Sequence, residues 1–133
     1  MDIHVQSPGG LVVDARFGDF NISTDQPLAD GGTNTAPSPF DLFLASLATC
    51  AGYYVMAFCR ERDLPTEGIT LKMTNSWNDQ AHLAENITME ITLPADFPEK
   101  YRRAVIRVAG MCTVKRHLEN PPAFVITARN GHP

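Results

Sequence analysis

Apolar and polar positions alternate along the first part of the chain. His4 to Ser7, Leu11 to Arg16 and Phe20 to Thr24 read as strands, punctuated by Pro8-Gly9-Gly10 and Gly18-Asp19. The pattern predicts a three-stranded meander. From Asp25 to Pro37 the residues are mostly Asp, Pro, Gly, Thr, Asn and Ala around a central Gly31-Gly32, a loop of the length that tends to carry function.

At Ser38 the period changes. Ser38-Pro39-Phe40-Asp41 is a helix start, with Ser38 as N-cap, Pro39 at the first helical position and Asp41 closing an acidic variant of the capping box. The helix is expected to run to about Arg62. Leu42, Phe43, Leu44, Leu47, Ala48, Cys50, Ala51, Tyr54, Val55, Ala57 and Phe58 leave it almost no polar face before Arg60. A helix apolar nearly all round must be buried on most sides. In so small a chain a partner subunit is one way to bury it, so the pattern predicts a homodimer.

Beyond Leu64-Pro65, Ile69 to Trp77 and Ile87 to Leu93 alternate as half-buried antiparallel strands joined near Asn78-Asp79-Gln80. Asp96-Phe97-Pro98-Glu99 repeats the helix-start logic, and Tyr101, Ala104, Val105, Val108 and Ala109 set a helical stripe up to about Gly110. Thr113 to Leu118 reads as a short helix ended by Asn120-Pro121-Pro122, and Ala123 to Ala128 as a final strand. The expected order is βββ-α-ββ-α-α-β in one domain over residues 1–133. Strands grouped in runs and separated by helices favour an α+β fold over a doubly wound parallel sheet.

Composition narrows the function. A net charge of -4 and a pI near 5.4 argue against nucleic acid as a partner, since that affinity comes from Lys and Arg neutralising phosphates. Met1 to Gly10 holds no apolar run of signal-peptide length, and nowhere do eighteen apolar residues stand together. The expectation is a chain without membrane partner, located in the cytoplasm. Its three cysteines are an odd count set in helical patterns, unlike a secreted disulfide framework. With no CxxC or HxxxH spacing and four scattered His residues, zinc is not expected either. That leaves the thiols.

Cys50 lies about three turns into the apolar helix, where desolvation raises a thiol pKa; as a residue type it is equally at home as a small core side chain. Cys112 follows the break at Gly110 and opens the next helix, where free N–H groups favour a thiolate. Lys115 and Arg116 add positive potential or form a solvated face, and His117 reads as a surface or packing residue. Cys59 comes nine residues after Cys50, which at ~100° per residue puts it on the opposite side of the helix. Capping is reason enough for Asp41. Tyr53, Tyr54, Phe43 and Phe58 suit a core, a dimer interface or an apolar substrate channel.

The stretch from Pro37-Ser38-Pro39-Phe40-Asp41 through Leu47-Ala48-Thr49-Cys50 resembles the central-helix signature of the OsmC/Ohr family. Cys112-Thr113-Val114-Lys115-Arg116-His117-Leu118-Glu119-Asn120-Pro121 resembles its second cysteine motif. The Gly-rich Asp30-Gly31-Gly32 entry loop and the element order agree, so the resemblance spans nearly the whole chain. It departs from the family at Thr113, where Pro is usual, at Lys115, where Ser is frequent, and in the additional Cys59. Asp41 matches the acidic residue of the OsmC-like branches rather than the strict hydroperoxidases.

The resemblance implies an intertwined homodimer with two antiparallel sheets around long central helices, and thiol-dependent reduction of peroxides, organic hydroperoxides above all. It makes Cys50 the peroxidatic residue and Cys112 the resolving one. Arg16, the only Arg or Lys before the central helix, becomes the candidate thiolate-activating cation, with Asp41 to orient it. No cofactor is implied beyond an external dithiol reductant. A dimeric module binding a small hydrophobic ligand, and a thiol redox sensor, are the competing expectations.

Overall fold

Three strands form where the alternation places them. β1 (His4–Gly9), β2 (Val12–Phe17) and β3 (Phe20–Thr24) make an antiparallel sheet in the order β1-β2-β3. The structure is a computed structural model that describes residues 1–131. Both hairpins turn on glycines in the left-handed region, Gly10 at φ 59° and Gly18 at φ 53°, a conformation open to Gly at little cost. Contacts divide the chain into two units, Met1–Ser46 and Leu47–Pro133.

In the first unit the loop after β3 is built on Asp25, whose side chain is fully buried. Its Oδ2 accepts from the Thr33 hydroxyl at 2.6 Å and N–H at 3.0 Å, and from the Thr35 hydroxyl at 3.0 Å and N–H at 3.1 Å. Its Oδ1 accepts from the Gln26 N–H at 2.7 Å. The Thr33 hydroxyl, then the Thr35 N–H, hold this carboxyl well below the usual carboxylate range against the opposing effect of burial. Gly32 is obligatory in the loop: a Cβ there would lie 1.9 Å from the Gln26 carbonyl oxygen.

Helix α1 (Pro39–Arg60) starts as expected. The Asp41 N–H donates to Ser38 Oγ at 3.2 Å, while Asp41 Oδ2 accepts from the Ser38 N–H at 2.9 Å and hydroxyl at 2.8 Å. This reciprocal box satisfies N–H groups that a helix start leaves free.

The second unit holds the remainder of α1, an antiparallel pair β4 (Thr70–Asn78) and β5 (Leu83–Thr92), and helices α2 (Glu99–Ala109) and α3 (Thr113–Glu119). Leu47, Ala51, Val55, Phe58 and Cys59 form one buried stripe on α1, and Ile69, Phe97, Val105 and Ala109 complete the core. The 22 residues of α1 have the length and composition of a bilayer span. Their use here is that of a core helix, because a stripe at 47, 51, 55 and 58–59 is the spacing of one face. The other side is open in the single chain, where Tyr53 is 67% exposed.

Two elements differ from expectation. β5 begins at Leu83 rather than Ile87: the register shifts by one residue between Ser76 and Trp77, and pairing then continues to Asn78 and Leu83, where Asn78 Oδ1 closes the turn on the N–H groups of Gln80 and Ala81. The final strand does not form. Ala123 to Ala128 belongs to neither sheet, and Phe124, Val125 and Ile126 are 82%, 88% and 93% exposed. A strand needs a neighbour to take its N–H and C=O groups, and this segment has no strand beside it. Among the described residues the order is βββ-α-ββ-α-α, and the α+β class stands.

Candidate functional site

Helix α3 opens directly on Cys112, and the thiol itself caps it. Cys112 Sγ accepts from the Lys115 N–H at 3.4 Å, taking the place a Ser or Asp oxygen holds in the usual N-cap. The same buried sulfur donates to the Leu47 carbonyl oxygen at 3.8 Å. Leu47 lies three residues before Cys50 on α1, about one turn. Two thiols far apart in sequence are therefore brought together.

Cys50 is half-buried and faces the start of α3. Burial pushes its thiol up, but the Val114 N–H, the Cys112 thiol and the Thr113 N–H all bond to its sulfur and outweigh burial, leaving the group below its ordinary value. Cys112 moves the other way. Burial raises it, the Lys115 N–H opposes, and the neighbouring Cys50 raises it further. The pair is thus polarised, with the anion favoured on Cys50 and the proton on Cys112. That reverses the local reading of the sequence, which gave the helix-start N–H groups to Cys112. The reason is positional: an N-cap side chain meets the N–H three residues on, and the N–H groups of Thr113 and Val114 are left to a sulfur arriving from α1.

A third contact joins the same two helices. Tyr54 Oη and Thr113 Oγ1 lie 2.9 Å apart, and the Tyr54 ring is held edge-on by Tyr53 at 5.5 Å between centroids. The sequence signal was available, since Tyr54 follows Cys50 by four residues and so shares its face, but nothing in the sequence pointed to Thr113 as its partner.

The remaining candidates have local partners. Arg16 is exposed on β2, where its Nε donates to Asn21 Oδ1 at 3.2 Å across the β2–β3 ladder. Asp41 is the capping acid, and the Ser38 hydroxyl first, then the Ser38 N–H, hold its carboxyl below the ordinary value. Arg16 and Asp41 belong to the first unit, the cysteine pair to the second. Lys115 pairs with Glu119 at 2.5 Å, and His117 Nδ1 lies 2.7 Å from the Thr113 carbonyl oxygen. Cys59 is fully buried; burial raises its thiol and Arg62 only partly offsets that. Among the described residues no cluster of His, Cys, Asp or Glu is arranged to hold a metal.

Beside the pair is a cavity of about 750 Å³, with Cys112 in its wall among Leu47, Ile87, Met89, Ile91, Ile106 and Leu118. Its polar residues, Glu90, Lys115 and Glu119, include the ion pair above. It suits an apolar molecule.

Residues 32–127, which include both cysteine segments, match the model of the OsmC-like protein family. The chain belongs to that family. No curated protein matches the sequence closely enough to narrow the assignment. Among solved structures, this OsmC-like chain is similar to a protein of Psychrobacter arcticus 273-4 ascribed to osmotic stress induction and detoxification response, at 24% identity over 86% of this chain and 85% of that one, TM-score 0.75. It is also similar to an OsmC-like protein of Mycoplasma pneumoniae, at 17% identity over 90% and 87%, TM-score 0.72. A third is an organic hydroperoxide resistance protein OsmC of Legionella pneumophila, at 15% identity over 89% of each chain, TM-score 0.54. At these identities the likeness is one of fold.

Proposed function

We propose that this OsmC-like chain is a thiol-dependent peroxidase acting on organic hydroperoxides. The observation that supports it is the meeting of Cys50 and Cys112 with opposite shifts in acidity. In this scheme the Cys50 thiolate attacks the terminal peroxide oxygen, the O–O bond breaks, and the alcohol leaves with a proton. Cys50 is then a sulfenic acid. Cys112 attacks its sulfur, water leaves, and a Cys50–Cys112 disulfide remains for an external dithiol to reduce. The family resemblance gives Arg16 the role of thiolate-activating cation and Asp41 that of orienting it; because the groups that lower Cys50 are Cys112 and the start of α3, this scheme assigns the Arg16 cation to the peroxide oxygens instead. The organic substrate is favoured by the apolar cavity at Cys112, and the Legionella pneumophila relative carries hydroperoxide resistance in its description. Reduced thiols of this kind belong in a cytoplasm.

The same reading includes a homodimer. The open side of α1, the exposed first sheet and the unpaired segment at Phe124 to Ile126 are the surfaces a second copy would cover.

The deciding assay follows consumption of cumene hydroperoxide and of hydrogen peroxide with a dithiol, for wild type and the Cys50→Ser, Cys112→Ser and Cys59→Ser variants. Loss of turnover in Cys50→Ser, with a Cys50–Cys112 bond found in wild type after one equivalent of hydroperoxide, supports the proposal. Unchanged consumption in Cys50→Ser sinks it. The cavity also favours a second reading, a binding module for a small hydrophobic ligand; a co-purified ligand in native mass spectra with thiols inert to peroxide would replace the first reading with that one.

A further inference from the structure

We infer that Tyr54 is a positioning residue: through its hydrogen bond to Thr113 it holds the first turn of α3 against the face of α1 that carries Cys50. The inference rests on the peroxidase reading for its consequence in turnover, but not for the positioning itself. Thr113 is bound at two points. Its N–H is one of the donors on the Cys50 sulfur, and its side-chain oxygen lies 2.9 Å from Tyr54 Oη. Cys50 and Tyr54 are four residues apart on α1, so both attachments come from one helix face. The result is a closed ring: Cys50 sulfur, Thr113 backbone, Thr113 hydroxyl, Tyr54 hydroxyl and the α1 backbone between them.

The ring matters because α3 is short. It spans seven residues, preceded by Gly110-Met111 and followed by Asn120-Pro121-Pro122. An isolated helix of that length has little stability of its own. A hydrogen bond to a thiolate falls off with distance and angle, so donors on a loosely held turn would stabilise the anion only part of the time. Tyr54, its ring edge-on to that of Tyr53, holds the first residue of α3 beside Cys50. It makes no bond to the sulfur and needs none.

The test is the pH dependence of Cys50 alkylation by iodoacetamide in the full chain, read on the Cys50 peptide by mass spectrometry. Tyr54→Phe and Thr113→Val are each expected to raise the midpoint, cutting the alkylation rate about threefold at a pH below it. Thr113→Ser, which keeps the hydroxyl, retains the wild-type profile. The double variant is no worse than either single one, because both break the same bond. An unchanged profile in Tyr54→Phe, or additive effects in the double variant, overturns the inference. No peroxide enters this measurement. Shifted profiles without turnover would therefore sink the peroxidase reading alone, and turnover with unshifted profiles this inference alone.

Discussion

The thiol of Cys112 reaches the carbonyl oxygen of Leu47 at 3.8 Å, one turn before Cys50 on α1. A single S–H proton serves the Leu47 oxygen or the Cys50 sulfur. Proton location on Cys112 is thereby coupled to charge on Cys50.

Because the Cys112 sulfur also caps α3, replacing it should separate two roles. Cys112→Ser keeps a capping atom and should fold like wild type, while after one turnover it accumulates a Cys50 sulfenic acid that dimedone traps. Cys112→Ala loses the cap as well, at about 1 kcal/mol, seen as a lower thermal midpoint. Equal midpoints for the two variants would show that the sulfur is no cap in solution.

Arg16 should act on the peroxide more than on the thiol. The groups that lower Cys50 come from Cys112 and the start of α3, so Arg16→Gln is expected to leave the alkylation profile of Cys50 nearly unchanged. Its kcat/KM for cumene hydroperoxide should fall about tenfold or more, as for loss of a charge-stabilising donor. A shifted alkylation profile with unaltered kcat/KM would assign Arg16 the opposite role.

Asp25 makes the fold sensitive to acid. Its carboxyl is depressed in the folded chain, chiefly by the Thr33 hydroxyl, and a depressed acid contributes stability that is complete above the unfolded value of about 3.9 and is lost as pH falls toward the folded one. Thermal melts of wild type should therefore drop more steeply between about pH 5 and 2 than those of Asp25→Asn. At pH 7 the variant should melt lower, on the order of 5 °C. Parallel curves across that range would exclude Asp25 as the source.

The dimer can be tested where the chain is most exposed. Val125→Lys puts a charge in the unpaired apolar segment, and sedimentation at micromolar concentration should then show more monomer than wild type. A wild-type distribution in this variant would remove the segment from the interface.

Much of the fold was legible because its signals are local. Ser38 and Asp41 are three residues apart, and α1 begins where they say. The final strand fails for the opposite reason: alternation at Ala123 to Ala128 records strand propensity, while a strand also needs a neighbour. The site divides the same way. The two cysteines were visible as motifs, but which of them carries the charge depends on N–H groups of Thr113 and Val114 meeting a sulfur more than sixty residues earlier in the chain. Thr113 stood out only as a departure from the second motif. Asp25 gave no warning, because its partners Thr33 and Thr35 reach it through closure of a loop that has no period.

Three free thiols allow three different disulfides, and the proposed Cys50–Cys112 chemistry requires that the other two pairings be avoided. Cys59 is on the far side of α1 from Cys50, fully buried, with its acidity suppressed. It can neither reach the sulfenic acid nor attack the finished disulfide. The helix thus keeps a spare thiol within one chain and, by its turn and its burial of Cys59 together, away from the pair that the proposed oxidation would join.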